Sequence, residues 1–161
     1  MRLRILLPLI CLTAICHLAA SAQKKLNTDE FFTMKFQDKE GVTAVEIQGN
    51  VFAEWGNMIT LFKSLKVSNP KDIERIEKAV KQDVANATAR TSSMSNGRLL
   101  YIWYALPPVQ KDINRYIIYV HRPDNAATLI YMEGKLIPQQ FKKYILEKYA
   151  PVQDLTSEII Y

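Results

Sequence analysis

The chain has 161 residues, 48% of them hydrophobic, which is length enough for one folded core without metal or disulfide staples. Its 21 lysines and arginines outnumber 16 acidic residues, but both signs are interspersed, which argues against the clustered basic patch of a nucleic-acid binder. Both cysteines lie before residue 20, and His121 is the one histidine beyond that point, so the remaining chain lacks the cysteine and histidine sets of nucleophilic or zinc chemistry.

Residues 1–22 have the form of an export signal. Arg2 and Arg4 give a positive start, Ile5–Leu18 is apolar, and Ala20-Ser21-Ala22 is a small-residue cleavage site. Pro8 and His17 interrupt a run already short for a membrane span. Neither Cys11 nor Cys16 sits in a lipid-attachment motif. The expected product is residues 23–161, one α+β domain beginning at Gln23, periplasmic or secreted, with no stable membrane anchor. Without Arg2 and Arg4 it carries 19 basic and 16 acidic residues, and it has no cysteine. An exported chain that folds without disulfides fits a bacterial envelope better than a small eukaryotic secreted domain.

Asn27 and Glu30 have capping-box spacing and open an apolar helix containing Phe31, Phe32, Met34 and Phe36. Asp38–Gly41 ends it. Val42–Gln48 alternates like a half-buried strand. Val51, Trp55, Met58 and Phe62 recur at helical spacing, which predicts a helix over Val51–Leu65. Val67–Pro70 reads as a linker or short strand. Asp72–Ala87 carries an apolar stripe of Ile73, Ile76, Val80, Val84 and Ala87; Asn69 caps it and Pro70 suits its first position. Thr88–Gly97 is short of large apolar residues and reads as a loop.

Three strands follow: Leu99–Leu106, Arg115–His121 and Ala127–Met132. Pro107-Pro108 stops the first, because proline has no N–H for a ladder. Arg122-Pro123-Asp124-Asn125 is a turn, with proline presetting φ at its second position. Short connections make the strands antiparallel. Gln139–Tyr149 is expected to be a last helix, and Val152–Tyr161 a tail or further strand. The predicted fold is α+β: an antiparallel sheet of about four strands with two or three helices packed on it.

Five of the eight tyrosines and Trp103 fall in the three-strand block. Tyr101, Trp103, Tyr116 and Tyr119 are candidates for an aromatic docking surface for a glycan or peptide; packing within the sheet is the commoner use of such residues. His121, at a strand end beside Arg122, reads as a solvated or packed residue rather than a ligand. No Gly-x-Ser-x-Gly elbow or glycine-rich phosphate loop is present, and no cofactor is implied. Asp38 and Glu40 flank a turn, where polar residues are ordinary.

The run Gly41-Val42-Thr43-Ala44-Val45-Glu46-Ile47 after an apolar helix, with a late series of hydrophobic strands, resembles the small secreted domains of unknown function of Bacteroidetes-type bacteria. That resemblance implies a Gram-negative periplasmic setting and brings no activity or functional residues. The expected function is a non-catalytic binding or accessory role in the bacterial envelope, with an envelope protein or glycan as partner. The alternatives are a carboxylate-type hydrolase of envelope or dietary polymers, and a structural subunit that pairs through its sheet.

Overall fold

The computed structural model describes residues 25–49 and 58–143. Six antiparallel strands form one sheet: β1 (Val42–Gln48), β2 (Ile59–Val67), β3 (Ala89–Ser95), β4 (Arg98–Gln110), β5 (Ile113–His121) and β6 (Ala127–Gly134). Their spatial order is β1-β2-β6-β5-β4-β3. Among the described residues the α-helices are α1 (Met34–Gln37), α2 (Pro70–Asp83) and α3 (Pro138–Phe141), with 3₁₀ turns at Asn27–Phe32 and Val84–Asn86. The fold is α+β with a larger sheet than the four strands expected.

Two strands replace other expectations. Residues 59–65, expected to end a helix, lie in β2. This strand sits between β1 and β6, and apolar side chains from it enter both layers: Leu65 and Val67 on one side, Ile59 and Phe62 on the other. A strand covered on both faces loses its alternation and can imitate helical spacing. Residues 51–57 of that expected helix lie outside the described residues.

The expected loop Thr88–Gly97 contains β3. It is an edge strand of mostly exposed, polar residues, so burial leaves no apolar pattern in its sequence. The clue is Asn96-Gly97. Both residues have positive φ, 50° and 75°, and join Ser95 to Arg98 as a two-residue hairpin turn. The expected stop at Pro107-Pro108 is instead an irregular stretch within β4: the register with β5 breaks between Leu106 and Gln110, where missing proline N–H groups cost no ladder bond.

α2 starts as its sequence asks. Asn69 Oδ1 accepts from the N–H of Lys71 at 3.0 Å and of Asp72 at 3.4 Å, and Pro70 takes the first turn. The helix ends at Asp83, and a 3₁₀ turn continues to Asn86, a tighter end than the helix to Ala87 expected. Ile73, Ile76 and Val80 pack on one sheet face with Phe31, Phe36, Ile102, Tyr104, Ile117, Tyr119 and Leu129. The opposite face carries Ile59, Trp103, Tyr116, Ile118, Met132, Leu136 and Phe141. The expected last helix is represented by Pro138–Phe141; residues 144–149 of that expectation, the segment Val152–Tyr161 and residues 1–22 lie outside the described residues.

A buried carboxylate ties the N-terminal segment to α2. Asp83 Oδ1 accepts from the backbone N–H of Asn27 at 2.8 Å and from its side-chain amide at 2.7 Å. Oδ2 accepts from the N–H of Thr28 at 2.9 Å and from its hydroxyl at 2.8 Å. Asp83 and Thr28 are 2% and 0% exposed, so this network sits inside the core.

Candidate ligand site

Two hairpin turns lie at the same end of the sheet, because the β3–β4 and β5–β6 connections leave it in the same direction. Between them is a cavity of about 300 Å³ lined by Arg98, Leu100, His121, Arg122, Pro123 and Asn125.

Local sequence builds each wall. Arg98 is the first residue after the Asn96-Gly97 turn. Leu100 is an extra residue of β4: Tyr101 pairs with Ser93 but Leu99 pairs with Met94. This bulge breaks alternation, so Leu99 joins the helix-side layer while Tyr101 packs against the opposite one. The third wall is the Arg122–Asn125 turn. Arg122 O accepts from Asn125 N–H at 3.2 Å, Arg122 N–H donates to Ala126 O at 2.7 Å, and Asn125 takes φ 57°. Asp124 Oδ1 accepts from Ala126 N–H at 3.2 Å and pins the same loop.

His121 is held from behind by α2. Its Nδ1 lies 3.4 Å from Glu77 Oε1, which also accepts from the Tyr119 hydroxyl at 2.9 Å; Lys81 Nζ lies 3.8 Å from Glu77 Oε2. An ionised carboxylate only accepts, so Nδ1 carries the proton in this contact, and Nε2 of the neutral ring is then an acceptor. Burial, then the hydrogen bond and charge of Glu77, push the Tyr119 hydroxyl far above the ordinary tyrosine range, while Arg98 acts in the opposite sense. Tyr119 therefore stays a neutral donor to Glu77.

The charges around the cavity are unbalanced. Among the described residues no carboxylate lines it. Glu77 is engaged by Tyr119, His121 and Lys81, and Asp124 lies 3.8 Å from Lys66. Arg98 and Arg122 are both exposed, and neither has an ion-pair partner among the described residues. A wider hollow of about 540 Å³ lies between the N-terminal segment and α2, near Lys25, Glu30 and Arg75. Its central arginine is already used: Arg75 pairs with Glu30 at 3.3 Å and Asp72 at 3.0 Å. Size alone does not make it the better site.

The four aromatics singled out from sequence are divided between the two faces. Tyr119 is fully buried on the helix side. Tyr116 and Trp103 are buried on the other side, where Phe141 stacks on Tyr116 with centroids 4.1 Å apart and tilts against Trp103 at 5.4 Å. Tyr101 is half-buried beside them. They do not assemble one solvent-facing platform. The Tyr101 hydroxyl and Trp103 Nε1 are buried with no hydrogen-bond partner among the described residues.

Sequence reading missed Arg98, Arg122 and the role of Glu77. Both arginines abut recognisable turns, but only strand register brings those turns together. Among the described residues no group of three or more histidine, cysteine or acidic side chains is placed to hold a metal. No curated protein and no solved structure matches the chain. A family model, described as a family of unknown function (DUF6108), matches residues 15–145, and the chain belongs to that family.

Proposed function

We propose that this chain is an exported, non-catalytic ligand-binding protein of the bacterial envelope, and that the cavity between the β3–β4 and β5–β6 turns is its ligand site. The observation that carries the reading is the pair Arg98 and Arg122, two exposed guanidiniums flanking a recess with no partner carboxylate. Arginines held near one another without counter-charge repel, and a bound ligand relieves that repulsion. The leader-like residues 1–22 support export. The lining residues offer hydrogen-bond donors, an imidazole and two apolar surfaces, but no serine, threonine or cysteine nucleophile.

The test is native mass spectrometry of residues 23–161 after incubation with a small-molecule extract of a Gram-negative bacterium. The expected result is an added mass that is reduced strongly in the Arg98→Ala/Arg122→Ala variant, with the compound recovered chemically unchanged on denaturation. An equal adduct in the double variant, or none in either, rules out the site. A compound recovered in altered form rules out the non-catalytic role.

A further inference from the structure

Resting on the reading of this cavity as the ligand site, we infer that the group it recognises is an oxyanion, a carboxylate or phosphate, borne on a small apolar body. The charged lining is cationic: Arg98 and Arg122 present planar forks of N–H donors, and Asn125 adds an amide that can donate. His121 adds little here: with its proton on Nδ1 against Glu77, the neutral ring offers only an accepting Nε2, so the two arginines carry the recognition. Arginine forks match the geometry of carboxylate and phosphate oxygens and disfavour cations. A neutral sugar is a poor fit, because the lining has no acidic side chain and no phenyl or indole ring on which a sugar would stack.

Leu100 and Pro123 set the rest of the ligand. They form apolar wall beside the arginines, and Leu100 is there because of the β4 bulge. The volume of about 300 Å³ exceeds what a bare inorganic anion fills and stands at the lower limit of small-molecule sites. It suits a head group with a body of ring size, not a polymer segment.

Isothermal titration of residues 23–161 with phenyl phosphate, benzoate, inorganic phosphate and benzyl alcohol tests this. Phenyl phosphate or benzoate is expected to bind at least tenfold more tightly than benzyl alcohol, and the stronger of the two identifies the head group. Arg98→Ala and Arg122→Ala are each expected to weaken that binding fivefold or more, with Arg122→Lys intermediate because it keeps charge but loses the fork. Circular dichroism checks that the variants fold. The inference is overturned if neither anion binds more tightly than benzyl alcohol, or if both arginine variants bind as the parent does. Inorganic phosphate binding as tightly as phenyl phosphate overturns the apolar body. An arginine-dependent adduct from the extract, with failure of both anions here, would leave the cavity as the site and refute the oxyanion alone.

Discussion

Replacing Asp83 with alanine tests how the N-terminal segment is held. The carboxylate ends α2, where the helix dipole disfavours negative charge by about 0.3–1 kcal/mol. Its four donors outweigh that cost. In Asp83→Ala the two donors of exposed Asn27 turn to water, whereas the N–H and hydroxyl of fully buried Thr28 are left unpaired. Each unpaired buried donor costs about 1–3 kcal/mol. Allowing for the relieved dipole, the variant loses roughly 2–5 kcal/mol. With a urea m-value of about 1.5 kcal/mol/M, the unfolding midpoint falls by roughly 1.5–3 M. Thr28→Val in the same background removes one of the stranded donors. The double variant therefore costs less than the sum of the single variants, by about 1–2 kcal/mol. A loss below about 1 kcal/mol for Asp83→Ala, or strict additivity of the pair, would refute the account.

Three other perturbations probe different physics. A Cβ added at Gly134 would come within 2.1 Å of Met58 O where β6 meets β2, so Gly134→Ala should cost at least about 3 kcal/mol and open amide exchange at that end of the ladder. Gly97→Ala meets no atom and should cost only the ~1–2 kcal/mol of its left-handed backbone; equal losses at the two glycines would contradict this. The Tyr104 hydroxyl is buried without a partner among the described residues, and burial followed by the charge of Asp83 pushes it far above the ordinary range; Tyr104→Phe should raise stability by about 1 kcal/mol, whereas a loss on thermal melting would reveal a partner. The hydrogen bond from Lys39 at 2.9 Å, aided by Arg75, holds the Asp72 carboxyl below the usual aspartate range against an opposing effect of burial. Its folded value is the lower one, so its contribution is complete above the unfolded value of about 3.9 and is lost as pH falls through the folded value. Melting curves from pH 7 to pH 2 should show the gap between the parent and Asp72→Asn closing in acid; a constant gap would exclude the linkage.

Legibility in the sequence followed strand composition and turn or cap signals, and failed where apolar spacing imitated a helix or where side chains face water. β1, β5, β6 and α2 declare themselves because each pairs a clear local pattern with a turn or cap, and Asn69-Pro70 fixes the start of α2 nearly to the residue. β2 is disguised because it is a central strand with apolar neighbours on both sides. β3 is disguised because it is an edge whose side chains face water. The Asn96-Gly97 pair outweighs the polar composition before it, since left-handed φ at two successive residues is what a tight hairpin requires. The candidate site is less legible still. Arg98 and His121 are 23 residues apart in the chain, and what joins them is the β4–β5 register together with a one-residue bulge at Leu100.

Helix α2 links the stability of this fold to its candidate site while keeping the two separable by mutation. Its C-terminal residue, Asp83, anchors the N-terminal segment through buried hydrogen bonds; Glu77, less than two turns earlier, positions His121 behind the cavity. Loosening Asp83 therefore allows α2 to move and should weaken ligand binding indirectly. Arg98 and Arg122 lie beyond the core on turns whose geometry is set by Asn96, Gly97, Pro123 and Asp124. Neither arginine has an ion-pair partner among the described residues, so their replacement would remove the proposed recognition without leaving a buried group unsatisfied. A binding defect in the arginine variants with an unchanged melting temperature thus reads as lost ligand contacts, whereas a defect in Asp83→Ala accompanied by lower stability reads as a displaced helix.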